Sequence, residues 1–348
     1  MIEWSEPQLA IRGMVRKFIE VEIVPKLAEL EHGDLPPYEI LRKMFVAFGM
    51  RDMAQVRVDK AVARAVKRMA GEAKPERAVS GDEMAMQVIP IIELSRYCPG
   101  MVTALGVSVG LTANTIMSRG TPKQIERWAK DLLTLDKIGA WAITEPGSGS
   151  DAFGSMKSTA RRADGGYVLN GSKTFITNGP YADTIVFICK LDEKVASFVL
   201  DRGTKGLEQT KPLRKMGLHS SPTGELFLDD VFVEKERLLG EDEEVSYRTG
   251  AKDTFTSERM GVAAMALGIV EECLRLCIEY AKTRVQFGKA IGEFQLVQLK
   301  LAKMEVARVN VQNLVFRAIE LANAAKSMSL AEASATKLYC AGAAVETA

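Results

Sequence analysis

The sequence predicts a multidomain α+β protein with a helical N-terminal domain, a middle antiparallel β-barrel domain and a C-terminal helical bundle. Three observations support this division. Apolar residues recur at helical spacing before residue 138, the period then changes to two up to about residue 240, and helical spacing returns afterwards. We therefore predict domains at 1–137, 138–240 and 241–348, the last of them incomplete.

Composition excludes several classes of protein. With 348 residues of which 47% are hydrophobic, the chain is long enough and apolar enough for a packed globular core. The net charge of +1 gives no basic excess of the kind that nucleic-acid binders show. The five cysteines are scattered and odd in number, which argues against a disulfide framework. Cys273 and Cys277 lie one helical turn apart, but nothing completes a metal site, so we interpret them as buried apolar residues.

The N-terminus does not resemble a secretory signal, because Trp4, Glu6 and Gln8 interrupt any apolar run. We also expect no segment to be long and apolar enough to span a membrane. Both points predict a cytoplasmic protein.

The N-terminal third reads as a series of helices. Residues 6–30 are amphipathic, with Pro25 expected to kink or end the first part. A second helix is predicted from Tyr38 to Phe48, closed by Gly49. Thr121-Pro122 with Gln124 forms a capping box that begins a further helix.

Residues 51–88 are the least regular part of this region. The segment from Lys60 to Arg77 is basic and rich in alanine and valine. A solvated helix or a mobile loop explains this composition, and an anionic partner is the alternative.

The rest of the chain changes from strands to helices. Alternating apolar residues predict strands that include residues 167–169, 184–188, 197–200 and 225–228. Helices are predicted at 258–282, 294–323 and 330–345. The first of these has apolar positions on more than one face, so the bundle must pack against neighbours in the same chain or in another subunit.

Three polar stretches stand out between these elements. They are Trp141–Asp151 (WAITEPGSGSD), Gly171–Gly179 (GSKTFITNG) and Arg284–Lys289 (RVQFGK). Gly147 and Gly149 allow close approach of the backbone to a ligand, and the neighbouring hydroxyls can bind a phosphate. Each stretch alone also fits a bland alternative, such as a solvated turn.

In this order the three stretches resemble those of the acyl-CoA dehydrogenase family of flavoproteins, from about the first helix to the last residue but weakly over 51–88. The resemblance implies FAD as cofactor, an acyl-CoA substrate in fatty acid β-oxidation, and an electron-transfer flavoprotein as electron acceptor. It also implies a homotetramer built as a dimer of dimers. Family members continue beyond the position of Ala348, so we expect a C-terminal part to be missing.

The resemblance assigns cofactor-binding residues by motif. Ile143 and Thr144 would contact the isoalloxazine ring, and Thr177 would lie at its N5. Phe175 would cover a ring edge where the family usually has tryptophan; the alternatives are a core residue at Phe175 and a strand-end residue at Thr177. Arg284 would bind the pyrophosphate of FAD held mainly by a neighbouring subunit, or simply cap a helix. The full predicted set is Ile143, Thr144, Gly149, Ser150, Phe175, Ile176, Thr177, Arg284, Gln286, Phe287 and Gln295.

The catalytic base has two possible positions. A minority of the family place a glutamate just before an arginine on the helix after the β domain, which here is Glu258. Otherwise the base lies beyond Ala348. Glu258 could equally be a first-turn glutamate stabilised by the helix dipole. The resemblance assigns substrate binding to Ser150, Ser257 and Arg259.

The resemblance leaves three functions open. The first that it implies is an FAD-dependent acyl-CoA dehydrogenase; the alternatives are a catalytically silent subunit of a mixed oligomer and an acyl-CoA oxidase-type flavoenzyme. No metal is implied by any of the three.

Overall fold

The computed structural model describes residues 3–72, 79–244 and 248–348, with the backbone alone over 248–257. The chain divides into two compact units. The helical unit consists of Met1–Ala28, Glu76–Val102 and Lys252–Ala348. The mixed unit consists of Glu29–Pro75 and Thr103–Ala251. The three-domain boundaries remain a prediction.

The elements follow one another as the hydrophobic periods predict. The helices are α1 (Glu6–Glu22), α2 (Leu27–His32), α3 (Tyr38–Ala47), α4 (Met50–Met69), α5 (Gly81–Ser95), α6 (Pro99–Leu105), α7 (Asn114–Arg119), α8 (Pro122–Leu133), α9 (Arg248–Thr283), α10 (Gln295–Asn323) and α11 (Leu330–Thr347). The strands are β1 (Gly139–Ala142), β2 (Thr159–Ala163), β3 (Gly166–Thr177), β4 (Thr184–Leu191), β5 (Lys194–Asp201), β6 (Leu207–Gln209), β7 (Thr223–Glu234), β8 (Val285–Gln286) and β9 (Lys289–Ala290).

The predicted helix boundaries in the N-terminal third are confirmed. A short 3₁₀ turn that contains Pro25 separates α1 from α2. Gly49 follows α3 with φ 65°, a left-handed conformation that glycine adopts without strain. Thr121 caps α8 by accepting a hydrogen bond from the backbone N–H of Gln124.

Residues 60–69 of the basic segment form the second half of α4, so the solvated-helix interpretation is confirmed for them. One face of α4 is buried through small residues, among them Ala54, Ala61 and Ala65, and the other face is in solvent. Residues 73–78, which include part of the predicted Lys60–Arg77 segment, lie outside the described residues.

The mixed unit is built on a seven-stranded sheet with strand order β1-β4-β2-β3-β7-β6, and β5 pairs with β4. Most neighbours are antiparallel, but β1 and β2 both run parallel to β4. The predicted β domain is therefore present, while its all-antiparallel character is wrong in this detail. The chain between these strands brings β4 back in the direction of β1 and β2. Local alternation of apolar and polar residues does not reveal the direction in which a strand runs relative to its neighbour. Its core includes Leu169, Phe187 and Phe198, which are fully buried.

The helical unit has its own core, formed between α5, α9, α10 and α11. A Cβ at Gly268 of α9 would lie 2.1 Å from the carbonyl oxygen of Ile92, so glycine permits the close approach of α9 to α5. Trp4 packs edge-on against Phe316 with ring centroids 4.7 Å apart. The fully buried carboxylate of Glu93 forms ion pairs with three arginines, Arg12, Arg16 and Arg96.

Two expectations from the sequence are wrong: that no segment is long and apolar enough to span a membrane, and that Cys273 and Cys277 are buried. Within the described residues one helical stretch, Pro99–Arg119, is long and apolar enough to cross a membrane, with mean hydropathy 1.4 over its most apolar window. Burial of 50% of that window is also what a core helix shows. Cys277 is exposed and Cys273 half-buried, so they are not the buried pair that their apolar neighbours suggest.

Candidate active site

The first two polar stretches meet in the mixed unit. The backbone N–H of Thr174 donates to the carbonyl of Thr144 over 3.0 Å. The Thr144 hydroxyl donates back to the Thr174 carbonyl over 2.5 Å. These two bonds attach the start of the loop that joins β1 to β2 to the middle of β3. The structure thereby brings together two motifs that are 30 residues apart in the chain.

A buried ion pair strengthens this junction. The Lys173 ammonium lies 2.9 Å from Oε1 of Glu145 and also donates to the Ile143 carbonyl over 3.0 Å. The two side chains are 0% and 4% exposed. Burial lowers the pKa of Lys173, and the nearby carboxylate offsets this only in part. Burial raises the pKa of Glu145, but hydrogen bonds from Ser158, Lys173 and Lys157 outweigh burial, so the pKa lies below its ordinary value.

Glu145 also closes the β1–β2 loop. Its Oε2 accepts the backbone N–H of Lys157 over 2.7 Å, and its Oε1 accepts that of Ser158 over 3.0 Å. Sequence reasoning missed both Glu145 and Lys173 as site residues. The available signal was a charged residue on an otherwise inward-facing strand position, which requires a buried partner.

The predicted ligand-facing positions of the loop differ in exposure. Gly149 and Ser150 are exposed, and Thr144 is half-buried. Ile143 is buried, so only its backbone could reach a ligand. The Thr144 backbone N–H has no hydrogen-bond partner within the described residues. The loop therefore presents backbone and hydroxyl groups outward rather than apolar side chains.

Phe175 projects out of the sheet. Its φ is 55°, and the register between β3 and β7 shifts between Lys173 and Ile176. The ring is 69% exposed, so the interpretation of Phe175 as a core residue is wrong. Ile176 is buried in the sheet core, and Thr177, the last residue of β3, is half-buried. A bulge thus turns one aromatic ring outward beside the loop.

Asn178 fixes the end of β3. Its side-chain amide donates to the carbonyls of Ala104 and Gly139, each over 2.9 Å. Its Oδ1 accepts the Tyr38 hydroxyl over 2.9 Å. The residue is fully buried with φ 64°, a region in which asparagine is tolerated better than most residues. Sequence reasoning also missed this residue, although it follows Thr177 directly.

The third polar stretch lies in the helical unit, directly after α9. Strands β8 and β9 form a hairpin with Phe287 and Gly288 at its turn, both at positive φ. The Phe287 ring is 92% exposed. Gln286, Gln295 and Arg284 are also exposed, and no carboxylate of the described residues forms an ion pair with Arg284. This end of the helical unit thus carries an exposed cation, two amides and an aromatic ring.

Glu258 and Arg259 lie on α9. Helix α9 begins at Arg248, so Glu258 is not in its first turn and that explanation for the residue is wrong. The Glu258 side chain keeps contact with solvent, yet surrounding protein raises its pKa, and the charge of Arg259 lowers it by less. The backbone of Ser257 is helical, but its side chain lies outside the described residues.

Comparison with known proteins decides the family. Residues 5–136, 140–231 and 249–348 match the N-terminal, middle and C-terminal domains of acyl-CoA dehydrogenase. The chain belongs to the acyl-CoA dehydrogenase family. An acyl-CoA dehydrogenase of Bacillus subtilis is 33% identical over 350 residues, which cover 99% of this chain and 86% of that protein.

Two further similarities agree with this family. Subunit CarC of a caffeyl-CoA reductase–Etf complex from Acetobacterium woodii is 34% identical over 97% of this chain and 84% of that protein. The solved structure of butyryl-CoA dehydrogenase from Megasphaera elsdenii superposes with a TM-score of 0.81 and 31% identity. That superposition covers 100% of this chain and 87% of the solved chain.

The protein is therefore an oxidoreductase and a flavoprotein of the acyl-CoA dehydrogenase family, and its cofactor is FAD. The exposed groups fit such a cofactor. The Thr144 N–H and the outward Phe175 ring suit a polar, planar flavin, and the exposed guanidinium of Arg284 suits a pyrophosphate. Among the described residues, no cluster of three or more histidine, cysteine or acidic side chains could hold a metal.

Proposed function

We propose that this acyl-CoA dehydrogenase desaturates an acyl-CoA thioester between its α and β carbons, with Glu258 as the base. The observation that carries the proposal is the state of Glu258. It is a carboxylate with solvent access whose pKa is raised by surrounding protein. A base that acts on a weakly acidic carbon needs a pKa raised toward the working pH.

The residues of this chain have separate tasks in the proposed reaction. Glu258 takes the α-proton of the thioester. Thr144, Phe175 and Thr177 orient the flavin ring, and Arg284 neutralises the pyrophosphate of FAD in a neighbouring subunit. Ser150, Ser257 and Arg259 are the proposed contacts to the substrate. When bound, FAD supplies the acceptor for the β-hydride at its N5.

The experiment is anaerobic mixing of the purified holoenzyme with short-, medium- and branched-chain acyl-CoA thioesters. We expect loss of the flavin absorbance near 450 nm with at least one of them. The same mixture in air, followed with an oxygen electrode, separates the alternatives. A dehydrogenase consumes oxygen slowly, whereas an oxidase turns over rapidly. Tight binding of every thioester without loss of absorbance would support the silent-subunit alternative.

We propose an electron-transfer flavoprotein as the electron acceptor. The support is the similarity to a subunit of a caffeyl-CoA reductase–Etf complex. The test is reoxidation of the substrate-reduced enzyme by purified electron-transfer flavoprotein under anaerobic conditions. Reoxidation that saturates with the concentration of added protein is expected, and its absence with several such proteins would remove this part of the proposal.

We also propose that the chain assembles into a homo-oligomer, as a dimer of dimers. The support lies in the first half of α10, where Leu296, Leu299 and Val306 are 76%, 52% and 61% exposed in the single chain. Their spacing places them on one face of the helix. An exposed apolar face of this length is typical of a protein–protein interface. Sedimentation as a monomer at micromolar concentration would contradict this proposal.

A further inference from the structure

We propose that the buried Glu145–Lys173 ion pair is a positioning device for FAD: it holds the β1–β2 loop in the shape that presents Thr144 and Ser150 to the cofactor. The inference rests on the flavin contacts proposed above for Thr144 and Ser150. Glu145 and Lys173 do not themselves touch the cofactor in this proposal. They act through the loop backbone.

The geometry of the pair joins three pieces of chain. Glu145, at the start of the loop, accepts the backbone N–H groups of Lys157 and Ser158, at its end. The same carboxylate accepts the ammonium of Lys173 from β3. The Glu145 carboxylate therefore joins the two ends of the loop formed by residues 146–156. The same carboxylate attaches this closed loop to β3, the strand that carries Phe175 and Thr177.

The attachment also fixes the residue nearest the proposed flavin ring. Lys173 donates a second hydrogen bond to the Ile143 carbonyl over 3.0 Å. Ile143 and Glu145 flank Thr144, and the Thr144 carbonyl is itself bound to Thr174. Both residues that flank Thr144 are thus held to β3, and this fixes the direction in which the Thr144 backbone N–H points.

Stability alone is a weak explanation for the pair. Removing two charges from water costs free energy that their attraction offsets only when the geometry is good, and an apolar pair of similar volume often serves stability as well. The Glu145 carboxylate, however, accepts three hydrogen bonds from two other segments of the chain, which no apolar side chain could replace. The charges therefore specify the shape of the loop, and we infer that FAD binding depends on that shape.

The test compares three variants: Glu145→Gln, Lys173→Met, and the two changes combined. The first readout is the Kd for FAD of the FAD-free protein, measured by flavin fluorescence. The second is hydrogen–deuterium exchange of the backbone amides of residues 147–156 without cofactor. We expect each single change to raise the Kd about 10- to 100-fold, the size expected for loss of charge-assisted hydrogen bonds. We also expect faster exchange of the loop amides.

The double variant separates positioning from stability. It leaves no unpaired buried charge, so we expect it to recover most of the thermal midpoint lost in the single variants. It does not restore the link between loop and strand, so its Kd for FAD should stay raised. The matched control is Glu93→Gln, which removes a different buried, ion-paired carboxylate, one that arginines hold in the helical unit. It should lower the thermal midpoint while leaving the Kd for FAD within about 2-fold of wild type.

Two results would overturn the proposal. One is a Kd for FAD that follows the thermal midpoint, so that Glu93→Gln raises it as much as Glu145→Gln does. The other is full recovery of FAD affinity in the double variant. Failure of the proposed function would give a different result. Wild type and variants would show the relative Kd values for FAD expected above, yet no acyl-CoA thioester would reduce the flavin.

Discussion

The Tyr38 hydroxyl donates to Oδ1 of Asn178 over 2.9 Å, and the same asparagine holds two backbone carbonyls through its amide. Burial raises the pKa of Tyr38, so the phenol is the protonated donor throughout the physiological range. This contact connects α3 to the residue that follows Thr177. The position of the proposed flavin-facing strand end therefore depends on a polar group buried in the mixed unit.

Loss of the Asn178 side chain should be costly. Asn178→Ala removes three buried hydrogen bonds and leaves their partners unsatisfied, so we expect about 3 kcal/mol or more of destabilisation. Tyr38→Phe removes one bond and should cost about 1 kcal/mol, while leaving Asn178 Oδ1 unsatisfied. Urea denaturation measures both. Tyr339→Phe is the control, because Tyr339 accepts an exposed hydrogen bond from Asn310, and its cost should stay below about 0.5 kcal/mol.

Arg284 should matter for the cofactor and not for folding. Arg284→Ala removes an exposed guanidinium that forms no ion pair within the described residues, so the thermal midpoint of the FAD-free protein should hardly change. The Kd for FAD should rise at least about 10-fold, because a pyrophosphate loses a charge-assisted partner. Lys282→Ala, two residues earlier and also exposed, should leave it unchanged. If the two changes raised the Kd for FAD equally, Arg284 would contribute only general positive charge and not a specific contact to the pyrophosphate.

The apolar face of α10 should control assembly. Leu299→Lys places a charge on a face that we propose to be buried between subunits, which costs several kcal/mol at an interface. We expect sedimentation to show smaller species than for wild type. Val66→Lys is the control: Val66 is 54% exposed on α4, and the change should leave the sedimentation coefficient unaltered. An unchanged sedimentation coefficient for Leu299→Lys would show that the subunit interface does not include this face of α10.

Glu93 should contribute to stability above its ordinary pKa of 4.5 and lose this contribution on acidification. Burial raises the pKa of Glu93, but hydrogen bonds and charge from Arg16 and Arg12 lower it further, so the net shift is downward. A group whose pKa is lower in the folded state stabilises the fold above the unfolded pKa and stops doing so as pH falls through the folded pKa. The difference between the thermal midpoints of wild type and Glu93→Gln should therefore be constant well above pH 4.5 and shrink as the pH falls below about 4.5. A difference that stays constant below that pH would contradict the shift.

Much of this fold could be predicted from the sequence because its signals are local. Hydrophobic period, Pro25, Gly49 and the Thr121 capping box set helix ends through contacts within a few residues. The parallel pairing of β1 and β2 with β4 could not be predicted, because strand neighbours that are not joined by a hairpin leave no local pattern. Residues 51–69 were ambiguous because α4 buries mainly alanine, which gives the helix a weak apolar stripe.

The candidate site shows the same difference between residues with a local signal and residues whose partners are distant in the chain. Thr144, Ser150 and Phe175 lie in motifs that are readable from their residues. Glu145, Lys173 and Asn178 lie in the same motifs, but their roles depend on partners 12 to 140 residues away, which spacing cannot identify. Glu258 looked like a first-turn glutamate because its stretch follows polar residues, whereas α9 begins ten residues earlier.

The most direct test of the account is single-turnover reduction of the flavin in Glu258→Gln. Glutamine keeps the shape of the side chain but cannot accept the α-proton, and a general base contributes about 100- to 10,000-fold. We predict that the variant binds FAD and acyl-CoA as wild type does, while stopped-flow loss of flavin absorbance slows by about that factor. Glu279→Gln, an exposed carboxylate on the same helix, should reduce its flavin at the wild-type rate. Reduction of the Glu258→Gln flavin at the wild-type rate would contradict the assignment of Glu258 as the base.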